Sequence, residues 1–593
     1  MADARAGGAL DAWKGGMAVQ RRAVTGPSLR LAALALVVAL AASACGGGGG
    51  GGGSSSEGGN PVKGGTLRIY NQNDIAFLDT ALGYYTVTLA LQRTFARTLY
   101  SWDINKTGDA HSIPEPDLSD GSAKVSDNNT VFAFKIRKGV RWAPPATGEV
   151  TPDDFVYAVE RMYDKTNPSP GQSYSSLIKG ADEFAAGKAK TISGIVASGD
   201  TVTYTLKKPA PDFLSIVALP FFAPVPRSYA SKYKVGPDYG KHIVGNGPYT
   251  LKSYIPEKSI ELIRNSNWDP ATDPLRKAWV DKIEMRVGLE PDAIQQAIER
   301  GDADISLDSQ PPNAALQRLI SDPTLKKRFA VETTGCHRYF ALGTNKSAGA
   351  ISDVRVRQAV NYAIDKIAIQ RVRGGPVAGD PASTILTPTL LGYQKYDLYP
   401  TPDNRGDPVK AKQLLVQAGF SNGITLTYVG PDSGKGDAVN TAVQASLLRA
   451  GIKLKIHKYA GSAVYTDSLQ LTRKRAEHQI GQAAWCPDYP GDGTRSFMVP
   501  LVDGRSIQAS ANNNYGEEDN PAINAKIDQA LAEPDRNKRA ALWSEVDRMA
   551  MQDAIWAPFL YDKTQFFWSS RVHNWKYTSW GANPELPAIW LSQ

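Results

Sequence analysis

Residues 424–456 read ITLTYVGPDSGKGDAVNTAVQASLLRAGIKLKI. Ile424–Val429 and Ile452–Ile456 both alternate apolar with polar residues, the two-residue period of a half-buried strand. The span around Ala438–Ala450 separates them as a helix. Strand, helix and strand in succession predict an α/β lobe.

The segments on either side extend this pattern. Val409–Ala418 reads as a short helix ended by Gly419. Upstream, Ser352 or Asp353 caps a longer helix starting near Val354. Its apolar residues Val356, Ala359, Val360, Ala363, Ile364 and Ile367 recur at helical spacing, and Arg355, Arg357 and Asp365 are expected on its outer face. Downstream, helices are predicted near Ile523–Ala532 and Lys538–Met551, before an aromatic-rich end from Trp556 to Trp590. Towards the N-terminus, Gly64-Gly65-Thr66-Leu67-Arg68-Ile69-Tyr70 reads as a turn entering a strand, and Thr130–Arg137 as another strand. Thr151-Pro152-Asp153-Asp154 starts a helix with a hydroxyl cap, a first-turn proline and acids at the positive end of the dipole. Phe155, Val159 and Met162 then mark its buried face. There is no internal repeat.

The first 59 residues are of another kind. Arg21, Arg22 and Arg30 precede the apolar run Leu31–Leu40, and Ala42-Ser43-Ala44 leads to Cys45. This is the tripartite plan of a signal peptide, with an apolar run too short to anchor a protein. Met17 is a candidate start, and Arg21-Arg22 lacks the rest of a twin-arginine motif. Cys45 sits where a bacterial lipobox carries its lipidated cysteine, although Ala42 stands where leucine is usual. Ala-Ser-Ala also suits ordinary signal peptidase, so free secretion stays open. Eight glycines and a Ser/Gly run follow Cys45 and read as a flexible tether.

Roughly 530 residues remain, enough for two or more lobes with their own cores. The net charge of +8 includes +3 from the leader, where Arg5, Lys14, Arg21, Arg22 and Arg30 face Asp3 and Asp11. A body near +5 with interspersed charges gives no basic block for nucleic acid. The zinc-helix, nucleophile-elbow and phosphate-loop motifs are missing, and the Gly430–Gly436 run has the wrong spacing for the last. Six scattered histidines form no metal-ligand pair. Asp127-Asn128-Asn129 reads as a turn, not a calcium loop, and Asp153-Asp154 and Glu517-Glu518 as a cap and a solvated loop. These absences favour binding over catalysis, with no cofactor or metal expected. Cys336 and Cys486 belong to an exported chain, which favours a disulfide over two free thiols.

Several segments, in order, resemble the extracytoplasmic solute-binding proteins of ABC importers, family 5, the peptide/nickel group that includes oligopeptide-binding proteins. They are Gly64-Gly65-Thr66-Leu67 with Leu78-Asp79, and Pro116-Asp117-Leu118 through Phe134–Val140 to Thr151–Phe155. Gly245-Asn246-Gly247-Pro248-Tyr249 with Arg264-Asn265, Asp353–Ala359, and Trp485-Cys486-Pro487-Asp488-Tyr489 complete the series. The resemblance implies an α/β, two-lobe periplasmic-binding-protein fold of type II, in the large class with an inserted domain, hinged around a central cleft. It assigns 62–109, 234–334 and 561–593 to lobe one, 111–233 to the inserted domain and 336–560 to lobe two.

The resemblance also implies a solute receptor, not an enzyme, that serves a membrane permease and its ATPase. It is expected as a monomer held at the outer face of the cytoplasmic membrane through Cys45. The expected solute is an oligopeptide or dipeptide, with a sugar, opine or nickel chelate as alternatives within the family. An exported, lipid-anchored hydrolase or folding factor is the alternative outside it. By the same resemblance Asp488 neutralises the ligand's α-ammonium, and Cys336 and Cys486 pair beside the hinge. Trp485 and Tyr489 are expected as pocket walls, Tyr84 and Tyr85 as contacts from the first loop, and Asn513 and Tyr515 within Asn512–Tyr515 as further contacts. No clamp for a peptide carboxylate is identified.

Overall fold

In the computed structural model, residues 60–432, 434–579 and 581–592 are described; the leader, Cys45 and the glycine tether lie outside the described residues. Thr66–Tyr70 begins a four-stranded sheet, pairing in parallel with Lys282–Arg286, which is followed by Ser259–Arg264 and Tyr249–Ile255. Leu67 and Ile69 point into its core, as the alternation predicts. The aromatic C-terminus returns to this core, adding Phe566, Trp568, Leu586, Ile589 and Leu591.

A second core, running from Leu99 to Phe222, holds an antiparallel sheet of Lys124–Ser126, Val131–Lys135, Thr201–Thr205 and Ile195–Ser198. Its helix Pro152–Arg161 starts as predicted, with the Thr151 N–H donating to the Asp154 carboxylate at 2.8 Å, and it buries Phe155 and Val159. Asp127, Asn128 and Asn129 all adopt positive φ in a turn.

Two long strands, Phe329–Leu342 leaving and Trp556–Phe567 returning, cross towards the third part of the chain. They pair antiparallel, with a register shift between Thr333 and His337 where the chain passes Gly335. Beyond the shift they form the middle of a six-stranded mixed sheet, flanked by Gly379–Pro381 on one side. On the other lie Ile480–Trp485, Ile424–Pro431 and Ile452–Tyr459. The 424–456 unit folds as read, with Gly434–Arg449 as its connecting helix and its strands parallel. Apolar cores cover both faces of this sheet.

Two details of the helix after Asp353 differ from expectation. Asp353 caps it, accepting from the Arg355 N–H at 2.8 Å, but it ends at Ala363. Asp365 is not an outer-face residue: it caps a second helix, Lys366–Arg373, by accepting from the Ala368 N–H, so Ile367 belongs to that helix. Arg357 is not on the outer face either. It is buried and donates to the carbonyls of Asp553, Ile351 and Ser352, an arrangement that satisfies an internal guanidinium.

Candidate functional site

The loop after the first strand is fastened before it reaches any site. The buried carboxylate of Asp79 accepts from both terminal nitrogens of Arg161, at 2.9 and 2.6 Å, and from the Gly236 and Ala81 N–H groups. A buried ion pair holds only when its remaining hydrogen-bonding capacity is filled, and here both oxygens are filled. The pair ties the loop to the helix Pro152–Arg161. At Gly83 a Cβ would fall 2.2 Å from Gln92 Nε2 and 2.9 Å from the Phe77 carbonyl, so only glycine lets the chain turn into Tyr84. A second buried network joins Asp117 to Arg97 and Arg276, each at 2.8 Å, with Asp273 beside them. Burial opposes the Asp273 charge, but Arg276 and Arg97 outweigh it and hold its carboxyl down at about 2.

The segment Trp485–Tyr489 leaves the strand Ile480–Trp485 and is held to the next helix. The Trp485 indole donates to the Ser496 carbonyl at 2.9 Å, and the Asp488 N–H donates to Ser496 Oγ at 3.1 Å. Cys486 is disulfide-bonded to Cys336 on the outgoing long strand, one step beyond the paired residues His337 and Trp485. The expected bridge is therefore present and joins this segment to the crossing point.

Three parts of the chain meet at Asp488. The Tyr84 hydroxyl donates to Oδ1 at 2.5 Å, and the Tyr174 hydroxyl donates to Oδ2. Tyr84 in turn stacks on Phe221, with centroids 5.9 Å apart. The influences on the Asp488 carboxyl are burial and these two hydroxyls, with no cation among them. Burial raises its carboxyl above the ordinary 3.8, and the two hydroxyls only partly offset this. Both tyrosine hydroxyls are pushed far up by burial and by the carboxylate beside them. Asp488 also borders a cavity of about 40 Å³ lined by Leu89, Trp102 and Leu219 and by Arg93 and Arg276, which are ion-paired with Glu585 and with Asp117 and Asp273.

The other expected residues fall in different places. Tyr85 is 68% exposed beside Tyr84. Trp485 is half-buried against the core of the third part. Tyr489 is 1% exposed and turned into the core that runs from Leu99 to Phe222, its hydroxyl donating to Asp212 at 3.1 Å. Asp212 is also gripped by Arg495 at 2.5 and 2.8 Å; burial opposes its charge, yet Arg495 keeps its carboxyl low. Asn513 accepts from Gln470 at 3.2 Å, and the buried Tyr515 lies beside Tyr465, so neither is brought to Asp488. Asn512 and Asn514 are buried and brace their own turn.

Tyr174 is the partner that sequence reasoning missed. It lies 314 residues from Asp488, and nothing in its neighbourhood marks it. A cavity of about 580 Å³ lies elsewhere, between Trp279, Trp568, Trp575 and Trp590, and contains none of the predicted residues.

Residues 114–525 match the family described as bacterial extracellular solute-binding proteins, family 5. Heme-binding protein A of Haemophilus influenzae is 28% identical over 75% of this chain and 78% of its own length. The periplasmic oligopeptide-binding protein OppA of Salmonella typhimurium is 26% identical over 76% of this chain and 80% of its own. Among solved structures, the clavulanic acid biosynthesis oligopeptide binding protein 2 superposes with a TM-score of 0.83. It shares 32% identity, covering 90% of this chain and 96% of that one.

Proposed function

The chain belongs to the bacterial extracellular solute-binding proteins of family 5, and from that premise we propose that its solute is a short peptide whose α-ammonium is received by Asp488. The protein is an extracytoplasmic binding protein serving an ABC importer; the peptide, on this reading, passes to the permease intact. The observation that carries the reading is the Asp488 carboxylate, enclosed by two neutral hydroxyl donors and lacking a cationic partner among the described residues. An ammonium supplies the missing charge and ion-pairs with it. Three stretches of chain that converge on one carboxylate are what a hinged trap needs in order to close on one end of a ligand. On this reading 62–109, 234–334 and 561–593 form one jaw and 336–560 the other, with 111–233 bracing the contact.

Cys45 then serves as the lipid anchor of a monomeric receptor. The roughly 18-residue link to Val62 has an r.m.s. reach of ~20–25 Å as a glycine-rich coil, which keeps the receptor concentrated near its permease. Native mass spectrometry of the protein extracted from membranes in detergent tests both statements. The expected result is a diacylglyceryl mass on Cys45 and a co-purifying peptide released uncleaved. A non-peptide mass, or a chain beginning after Ala44 without lipid, would contradict the corresponding statement.

A further inference from the structure

The C-terminal segment sets two flat ring stacks against one cavity. The ring centroids of Trp568 and Trp575 lie 4.5 Å apart with the planes 9° from parallel, and those of His573 and Trp590 lie 4.0 Å apart at 11°. All four rings, with Trp279, line the cavity of about 580 Å³. In each stack one ring is buried, Trp568 or Trp590, and the other, Trp575 or His573, is half-buried. The buried ring is covered by its partner, and the partner's second face is left for another ring to stack on. Such faces pack best against aromatic rings in offset or edge-on contact. The cavity's volume falls within the ~300–1,000 Å³ of small-molecule sites, which are walled by apolar and aromatic side chains with a few polar groups among them.

The charges around the cavity favour one sign of ligand. Glu585 is the one acid among the described lining residues, and Arg93 already engages it at 3.0 Å. Arg276 is matched by Asp117 and Asp273. Arg328 donates to the Trp568 carbonyl at 3.1 Å and has Glu299 and Asp322 near enough to balance it. Lys277 is exposed at the mouth, where the lining holds no second acid. A cationic ligand, which indole faces attract, would meet this ammonium; an anionic one pairs with it. The small cavity at Asp488 is also lined by Arg276, so this buried guanidinium stands between the two. We propose that the tryptophan-walled cavity is a second ligand site, separate from the one at Asp488, for a flat aromatic carboxylate. Its rings extend the stack at Trp575, and its anionic group meets Lys277.

The inference does not depend on which solute Asp488 receives. Calorimetry on the full-length protein with three probes of similar bulk tests it: naphthoate, its neutral amide, and the saturated decalin carboxylate. The wild type is expected to bind naphthoate saturably, the amide about tenfold more weakly and the decalin carboxylate about fivefold more weakly. Lys277→Glu should abolish the preference for naphthoate over its amide. Trp575→Leu, which keeps apolar bulk, should abolish the preference for the aromatic ring over the saturated one. Lys277 is exposed, so its variant decides even where loss of an indole lowers the melting temperature. Asp488→Asn should bind naphthoate within about twofold of the wild type. No saturable binding of naphthoate, equal binding of the three probes, preferences that survive the variants, or loss of naphthoate binding in Asp488→Asn overturns the second site.

Discussion

Asp488 has a carboxyl raised above 3.8 by burial, and this gives ligand binding a definite pH signature. Because the free site holds its proton to higher pH than an exposed aspartate, an ammonium ligand must displace that proton in acid. Affinity should therefore fall as pH drops from neutrality towards 4.5 and level off above neutrality. Asp488→Asn should lose about 2–5 kcal/mol of peptide binding and the pH dependence with it. Titration calorimetry at pH 4.5 and 7.5 on both proteins checks this; a variant that keeps affinity, or a wild type flat across that range, would contradict it. Asp488 is singled out in the sequence by its place in the Trp485–Tyr489 segment, and the structure brings Tyr84 and Tyr174 to it. Tyr174 is not singled out, because a contact across 314 residues leaves no local pattern.

Elements were legible where periodicity and caps agree. The 424–456 unit, the helix opened by Thr151 and the helices near 523 and 538 all form as read, within a few residues at their ends. The helix from Val354 was read too long because the apolar spacing runs through Ile364 without a break, while the chain stops at Ala363 and restarts at Asp365. Hydrophobic periodicity reports the buried face and does not register a re-capped turn on that face. The long helix Arg536–Gln552 carries a burden that no periodicity shows. Its Asp547 is fully buried, accepts from the Ile385 N–H at 2.9 Å, and is pushed by burial from 3.8 up to about 7. The native state thus takes up this proton before the unfolded chain does. Stability from this group is fully present below about 3.8, declines progressively as pH rises and is lost once pH passes about 7. Asp547→Asn, which keeps an acceptor and removes the charge, should raise the melting temperature at pH 8 and raise it less at pH 5.5. Scanning calorimetry showing the opposite order would refute this account of the helix.

At the scale of the whole molecule, the sequence made the family and its two-lobe plan legible because the matching segments keep their order along the chain. The physical reason for several of those segments emerges only in three dimensions. Asp79 and Asp117 are the acidic centres of two buried ion networks, one tying the first loop to the helix Pro152–Arg161 and the other joining Asp117 to Arg97 and Arg276. Gly245 lies where a Cβ would fall 2.3 Å from the Tyr249 carbonyl. Such residues build the frame, and the site is what the frame brings together: Tyr84 and Tyr174 on Asp488, and the Cys336–Cys486 bridge beside the crossing strands. The central claim is that this convergence reads a peptide's free amino terminus. Calorimetry comparing one tetrapeptide with its Nα-acetylated form tests it most directly. Acetylation removes the ammonium and little else, and should weaken binding at least about thirtyfold; equal affinity for the two forms would contradict the account.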